Sequence, residues 1–78
     1  GKKGVVRDKS VHIAVIEKII GLIAENDFSL LGLDFSPIKG PEGNIEYLCF
    51  IKKDEKSENR CEVSASQVVE LSYKALER

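Results

Sequence analysis

Glu46 is a carboxylate in an unusual place: it opens an otherwise apolar run, Ile45 to Lys52, directly after Ser36-Pro37-Ile38-Lys39-Gly40-Pro41-Glu42-Gly43-Asn44. That position puts its charge at the lip of a sheet, either as an ordinary solvated strand end or as part of a site. The stretch before it is a loop by its proline and glycine content, and it is too long for a tight hairpin. His12 is the sole histidine and falls within an apolar helical arc. It is either a ligand or base, or a hydrogen-bonded core residue; without a second ligand at i+4 the core reading is favoured. Cys49 and Cys61 lack the C-x-x-C spacing of a metal or redox site, and Cys49 lies in an apolar run where a buried, reduced thiol is expected. This cysteine usage points to a reducing, cytoplasmic setting. Glycine-rich phosphate loops, H-E-x-x-H and G-x-S-x-G are missing from the sequence, so a nucleophilic triad lacks its base and a metal site its ligands.

The elements that position these residues must come from a short chain. With 78 residues it is one domain at most, and at this size only about 60% of the unfolded chain's surface is buried on folding. The 42% hydrophobic and 32% charged content is that of a globular sequence, and a net charge of -1 gives no global attraction to nucleic acid. Any RNA contact must come from a local patch. The run Val11 to Ala24 is interrupted by His12, Glu17 and Lys18 and falls short of the roughly 20 apolar residues of a membrane span.

The basic lead-in containing Lys2, Lys3 and Arg7 is followed by Asp8 or Ser10 as a helix cap. From Val11 to about Asn26, Val11, Val15, Ile16, Ile19, Ile20, Leu22 and Ile23 recur at helical spacing. Their arc is roughly 200° wide, about twice the minimal stripe, so the helix is expected to be buried on two sides. Phe28 to Phe35 reads as a strand with Leu31, Leu33 and Phe35 on one face and Phe28 and Leu30 on the other. Ile45 to Lys52 reads as a second strand, apolar on both faces beyond Glu46, the pattern of an interior strand covered on both sides. Lys52 to Arg60 is a mixed-charge connection, expected to be solvated. Ser64 with Gln67 forms a capping box before a last helix whose Val68, Leu71, Ala75 and Leu76 share a face.

The residues Gly4-Val5-Val6-Arg7-Asp8, the helix carrying His12, Gly32-Leu33, and the loop Ser36-Pro37-Ile38-Lys39-Gly40-Pro41-Glu42-Gly43-Asn44 running into Ile45-Glu46-Tyr47-Leu48 resemble the tail of TlyA-type proteins. These are also called hemolysin A or FtsJ-like ribosomal RNA methyltransferases. The resemblance covers Gly1 to about Phe50, and the S-P-I-K-G-P-x-G-N-x-E stretch is its most specific part. It implies an intact protein with an S4-like RNA-binding domain and a Rossmann-like domain that uses S-adenosylmethionine to methylate a ribose 2′-hydroxyl of ribosomal RNA. It further implies that this chain begins just after the fifth strand, that Phe28 to Phe35 is the sixth, and that Ile45 to Lys52 is the antiparallel seventh, inserted between the fifth and sixth. By position Glu46 resembles the final member of a Lys-Asp-Lys-Glu catalytic tetrad, the other three lying upstream of Gly1. A ribose hydroxyl is a poor nucleophile at neutral pH, so a lysine of lowered pKa takes its proton and carboxylates fix the ammonium groups. Glu46 is then the catalytic candidate as an orienter of the base. Ser36 and Lys39 are candidates for shaping the substrate entrance, against the reading of an ordinary surface loop. Lys2, Lys3 and Arg7 are candidates for phosphate contacts, against that of a flexible basic terminus.

The expected fold class is α/β: a helix-strand-strand-helix C-terminal fragment of a Rossmann-like methyltransferase domain, seen alone as a small antiparallel sheet with helices packed on it. No cofactor is expected on this segment by itself. Two other classes remain. A stand-alone RNA-binding or protein-interaction module would need a continuous basic face or exposed aromatics. A membrane-active hemolysin would need a basic amphipathic helix or many strands, which the mixed charge of the first helix and the strand count disfavour. Without a fifth strand, the Ile45 strand keeps an unpaired edge, so self-association is expected.

Overall fold

Asp8 starts the first helix. Its carboxylate accepts from the Ser10 amide at 2.9 Å and the Ser10 hydroxyl at 2.7 Å, capping α1, Lys9–Glu25. Those bonds hold the Asp8 carboxyl below its ordinary value. The structure is a computed structural model and describes residues 8–76. At the other end of α1, the Asn26 side chain donates to the Leu22 carbonyl at 2.7 Å, and Asp27 turns the chain with a φ of 63°. Then follow β1, Phe28–Phe35, a short 3₁₀ turn, η1, Pro41–Gly43, β2, Tyr47–Lys53, and α2, Ala65–Leu76. This is the expected α/β order, with β1 and β2 forming a two-stranded antiparallel sheet.

The capping box forms as the sequence requires. The Ser64 amide donates to Gln67 Oε1 at 2.8 Å, and the Gln67 amide donates to Ser64 Oγ at 3.1 Å. The buried face of α2, however, is Ala65, Val68, Val69 and Ser72, and Leu71 is exposed. Spacing of three and four residues still sets the face. It is centred one step away from the expected one because Ser72 is a core residue, its hydroxyl donating to the Val69 carbonyl and meeting Tyr47 Oη, both at 2.7 Å.

Strand β1 also departs from simple alternation. The pairing shifts between Leu30 and Gly32, so Leu31 bulges out and residues on either side change parity. Leu30 and Leu33, expected on opposite faces, therefore both enter the core, while Leu31 is exposed. They pack with Ile16 of α1 and Ala65, Val68 and Val69 of α2. Nor is the segment after β2 merely solvated. The Leu30 amide donates to the Glu58 carbonyl at 3.0 Å and the Arg60 amide to the Leu30 carbonyl at 2.8 Å, giving β1 a parallel bridge on its second edge. Ser29, fully buried beneath this segment, accepts from the Glu58 amide at 2.8 Å.

Among the described residues, one flank of the molecule remains open. The wide arc of α1 divides: His12 and Ile16 are buried, whereas Val11, Val15, Ile19 and Leu22 stay exposed. Strand β2 is paired, among the described residues, on the β1 side alone. Leu48, Phe50 and Ile51 are exposed, and so is Cys49, contrary to the expectation of a buried thiol. A buried thiol requires an interior strand, whereas among the described residues β2 is an edge strand. No helix among the described residues is long and apolar enough to cross a membrane.

Candidate functional site

The loop between the strands is closed at its neck by the Ser36 amide, which donates to the Glu46 carbonyl at 2.8 Å. Ser36 Oγ is used inside the loop, donating to the Ile38 carbonyl at 3.0 Å and accepting from the Ile38 amide at 3.3 Å. Pro41 opens the 3₁₀ turn, and Glu42 and Gly43 follow with φ values of 63° and 84°. Two successive left-handed residues reverse the chain, so that the Gly40 amide donates to the Asn44 carbonyl at 2.7 Å and the Gly43 amide to the Gly40 carbonyl at 3.1 Å. Ile45 is then buried and pins the loop's far end to the body.

Glu46 is exposed, and its carboxylate lies directly against Gly40, where a β-carbon would stand 2.9 Å from its Cδ. Ser36, Lys39 and Glu46 thus belong to one ordered loop, with Ser36 bonded to the Glu46 backbone and Lys39 half-buried beside Gly40. Lys2, Lys3 and Arg7 lie outside the described residues. Gly40 is a neighbour of the Glu46 carboxylate that residue type alone does not mark. The available signal was a glycine in a tight loop that returns to a strand-opening carboxylate.

Behind the loop, Tyr47 connects the site to the core. Its ring meets His12 edge-on at 5.4 Å, and His12 meets Tyr73 in the same manner at 5.7 Å. His12 is a core residue, as its solitary position suggested. Burial pushes the Tyr47 phenol above its ordinary value, an effect the Ser72 hydrogen bond opposes. Although Cys49 is exposed as a residue, partial desolvation raises its thiol, with a smaller contribution from Cys61. Such a thiol is a poorer nucleophile than an unperturbed one.

A groove of about 390 Å³ runs beside β2, walled by Val11, Val15 and Ile19 from α1, by Ile45 at the loop's end and by Tyr47 and Cys49 from the strand. Its lining contains no carboxylate that could hold the hydroxyls of a nucleoside ribose and no glycine-rich turn. Among the described residues this groove does not suit S-adenosylmethionine, and no group of acidic, histidine and cysteine side chains could hold a metal. Its aliphatic character suits packing against protein.

The chain is 38% identical over 79 aligned positions to "Putative rRNA methyltransferase YqxC" of Bacillus subtilis, a match covering 97% of this chain and 28% of that protein. Two solved structures are similar in fold and sequence. A putative hemolysin from Lactococcus lactis matches with a TM-score of 0.81 and 39% identity over 91% of this chain and 36% of its own. A putative hemolysin from Streptococcus thermophilus matches with a TM-score of 0.87 and 34% identity, over 99% and 30%. The chain therefore spans about a third or less of the length of these relatives. The similarity extends beyond Phe50, where the recognisable motifs end, into the last helix. No family model matches the chain.

Proposed function

We propose, for a chain that belongs to the TlyA-type family of rRNA methyltransferase-related, hemolysin-like proteins, that it forms the C-terminal part of a ribose 2′-O-methyltransferase domain. On this reading it contributes one wall and one carboxylate of the site and catalyses nothing alone. The supporting observation is the placement of Glu46, whose carboxylate lies against Gly40 at the mouth of the loop and beside a strand edge that is unpaired among the described residues. The remainder of the longer protein supplies a strand for that edge, an apolar surface for Val11, Val15 and Ile19, and the site for S-adenosylmethionine, the methyl source. Glu46 accepts hydrogen bonds from a lysine ammonium of that remainder, fixing the amine that takes the ribose proton. Ribosomal RNA as substrate places the work in the cytoplasm, with Ser36 and Lys39 shaping the entrance.

The test is Glu46→Gln in the longer protein, followed by transfer of a tritiated methyl group to ribosomal RNA. Turnover is expected to fall by roughly 10² or more, the usual size of general acid-base assistance, with cofactor binding nearly unchanged. Turnover close to that of the unaltered protein would refute the role of Glu46. A free-standing RNA-binding module would instead bind RNA as this chain alone, with an affinity that falls steeply with salt.

A further inference from the structure

We propose that Gly40 is a positioning residue for Glu46, reserving by its missing β-carbon the space in which the carboxylate rests; this deepens the reading of Glu46 given above and rests on it. The backbone does not demand glycine here. Gly40 has a φ of -74° and a ψ of -173°, extended values open to any residue, whereas Gly43 at a φ of 84° occupies the left-handed region. What singles out Gly40 is proximity. A β-carbon there would stand 3.2 Å from Glu46 Cγ, 2.9 Å from Cδ, and closer still to Oε2.

Neither backbone is free to retreat. Gly40 donates to the Asn44 carbonyl at 2.7 Å and accepts from the Gly43 amide at 3.1 Å, while the Glu46 carbonyl accepts from the Ser36 amide at 2.8 Å. The Glu46 side chain is exposed, so it can swing aside with little effect on folding. Gly40 therefore governs where the carboxylate points more than whether the loop forms. A misplacement of about 1 Å in a catalytic arrangement costs on the order of a hundredfold in rate.

The experiment places Gly40→Ala, Glu46→Gln and the pair together in the longer protein, with Gly21→Ala as control, since a methyl at Gly21 would meet nothing within 4 Å. It reads methyl transfer to ribosomal RNA, melting temperature and the ¹³C resonance of the Glu46 carboxyl. Gly40→Ala is expected to shift that resonance and lower kcat on the order of a hundredfold, with KM and melting temperature nearly unchanged and no further loss in the Glu46→Gln background. Gly21→Ala should leave the resonance and kcat as they were. Unchanged turnover in Gly40→Ala, where Glu46→Gln is impaired, overturns the proposal. So does a loss of folding in Gly40→Ala that persists when Glu46 is replaced by alanine, which would mark a structural glycine. Full turnover in both single variants with a shifted resonance overturns the reading of Glu46 and leaves the contact standing.

Discussion

Val15→Asp should have opposite consequences in this chain alone and in the longer protein. Val15 sits mid-helix on α1 and is 55% exposed, within the stripe that faces the groove beside β2. In the chain alone the replacement meets water. Valine and aspartate have similar helix propensities, and a surface substitution of this kind changes stability by about 0.5 kcal/mol at most. If the stripe is covered in the longer protein, completing the burial of valine is worth about 1 kcal/mol there, and that gain is lost. The carboxylate would also enter an apolar contact without a cation, at a cost of about 3 kcal/mol or more, and a side chain this short cannot reach solvent as a lysine would. The longer protein should therefore lose about 4 kcal/mol where the short chain loses almost nothing. Urea unfolding of both, each with and without the substitution, reads this difference directly. An equally small change in the two settings would refute the idea that the α1 stripe is an internal surface.

Ser64→Ala should lower stability by about 1 kcal/mol, because it removes the hydroxyl that accepts from the Gln67 amide, and thermal melting followed by circular dichroism would show it. A third expectation concerns alkaline pH. The folded chain holds the Tyr47 proton above the ordinary value of 10.0, so this contribution is complete below pH 10.0 and is lost as pH rises through the raised value. Urea titrations on either side of that pH should show a decline that Tyr47→Phe reduces; an identical decline in the variant would contradict it.

Much of this fold can be read from residues with strong local rules. Asp8 caps α1 and Ser64 with Gln67 opens α2, because each satisfies amides that the helix itself cannot. The two strands also follow from their apolar content. What escapes is non-local. The bulge at Leu31 is set by pairing with β2, so alternation misassigns Leu30. Ser72 is polar by type yet buried, because Tyr47 and the Val69 carbonyl share its hydroxyl. Residues 58–60 are charged or polar, but their backbone pairs with β1, and backbone pairing leaves little trace in side-chain chemistry. Cys49 shows the limit from the other direction: the apolar pattern around it describes an interior strand, and among the described residues the strand is an edge. At the site, Glu46 stands out by sequence position, whereas Gly40 acquires meaning only once the loop brings it against the carboxylate.

Amide hydrogen exchange along β2 tests most directly whether this flank is completed by the rest of a larger sheet. The β2 amides that point away from β1 should exchange rapidly in the dilute chain alone and become strongly protected in the longer protein, together with reduced access to the Cys49 thiol. Equally rapid exchange of those amides in the longer protein would contradict the account, because β2 would then be an edge strand in its natural setting too.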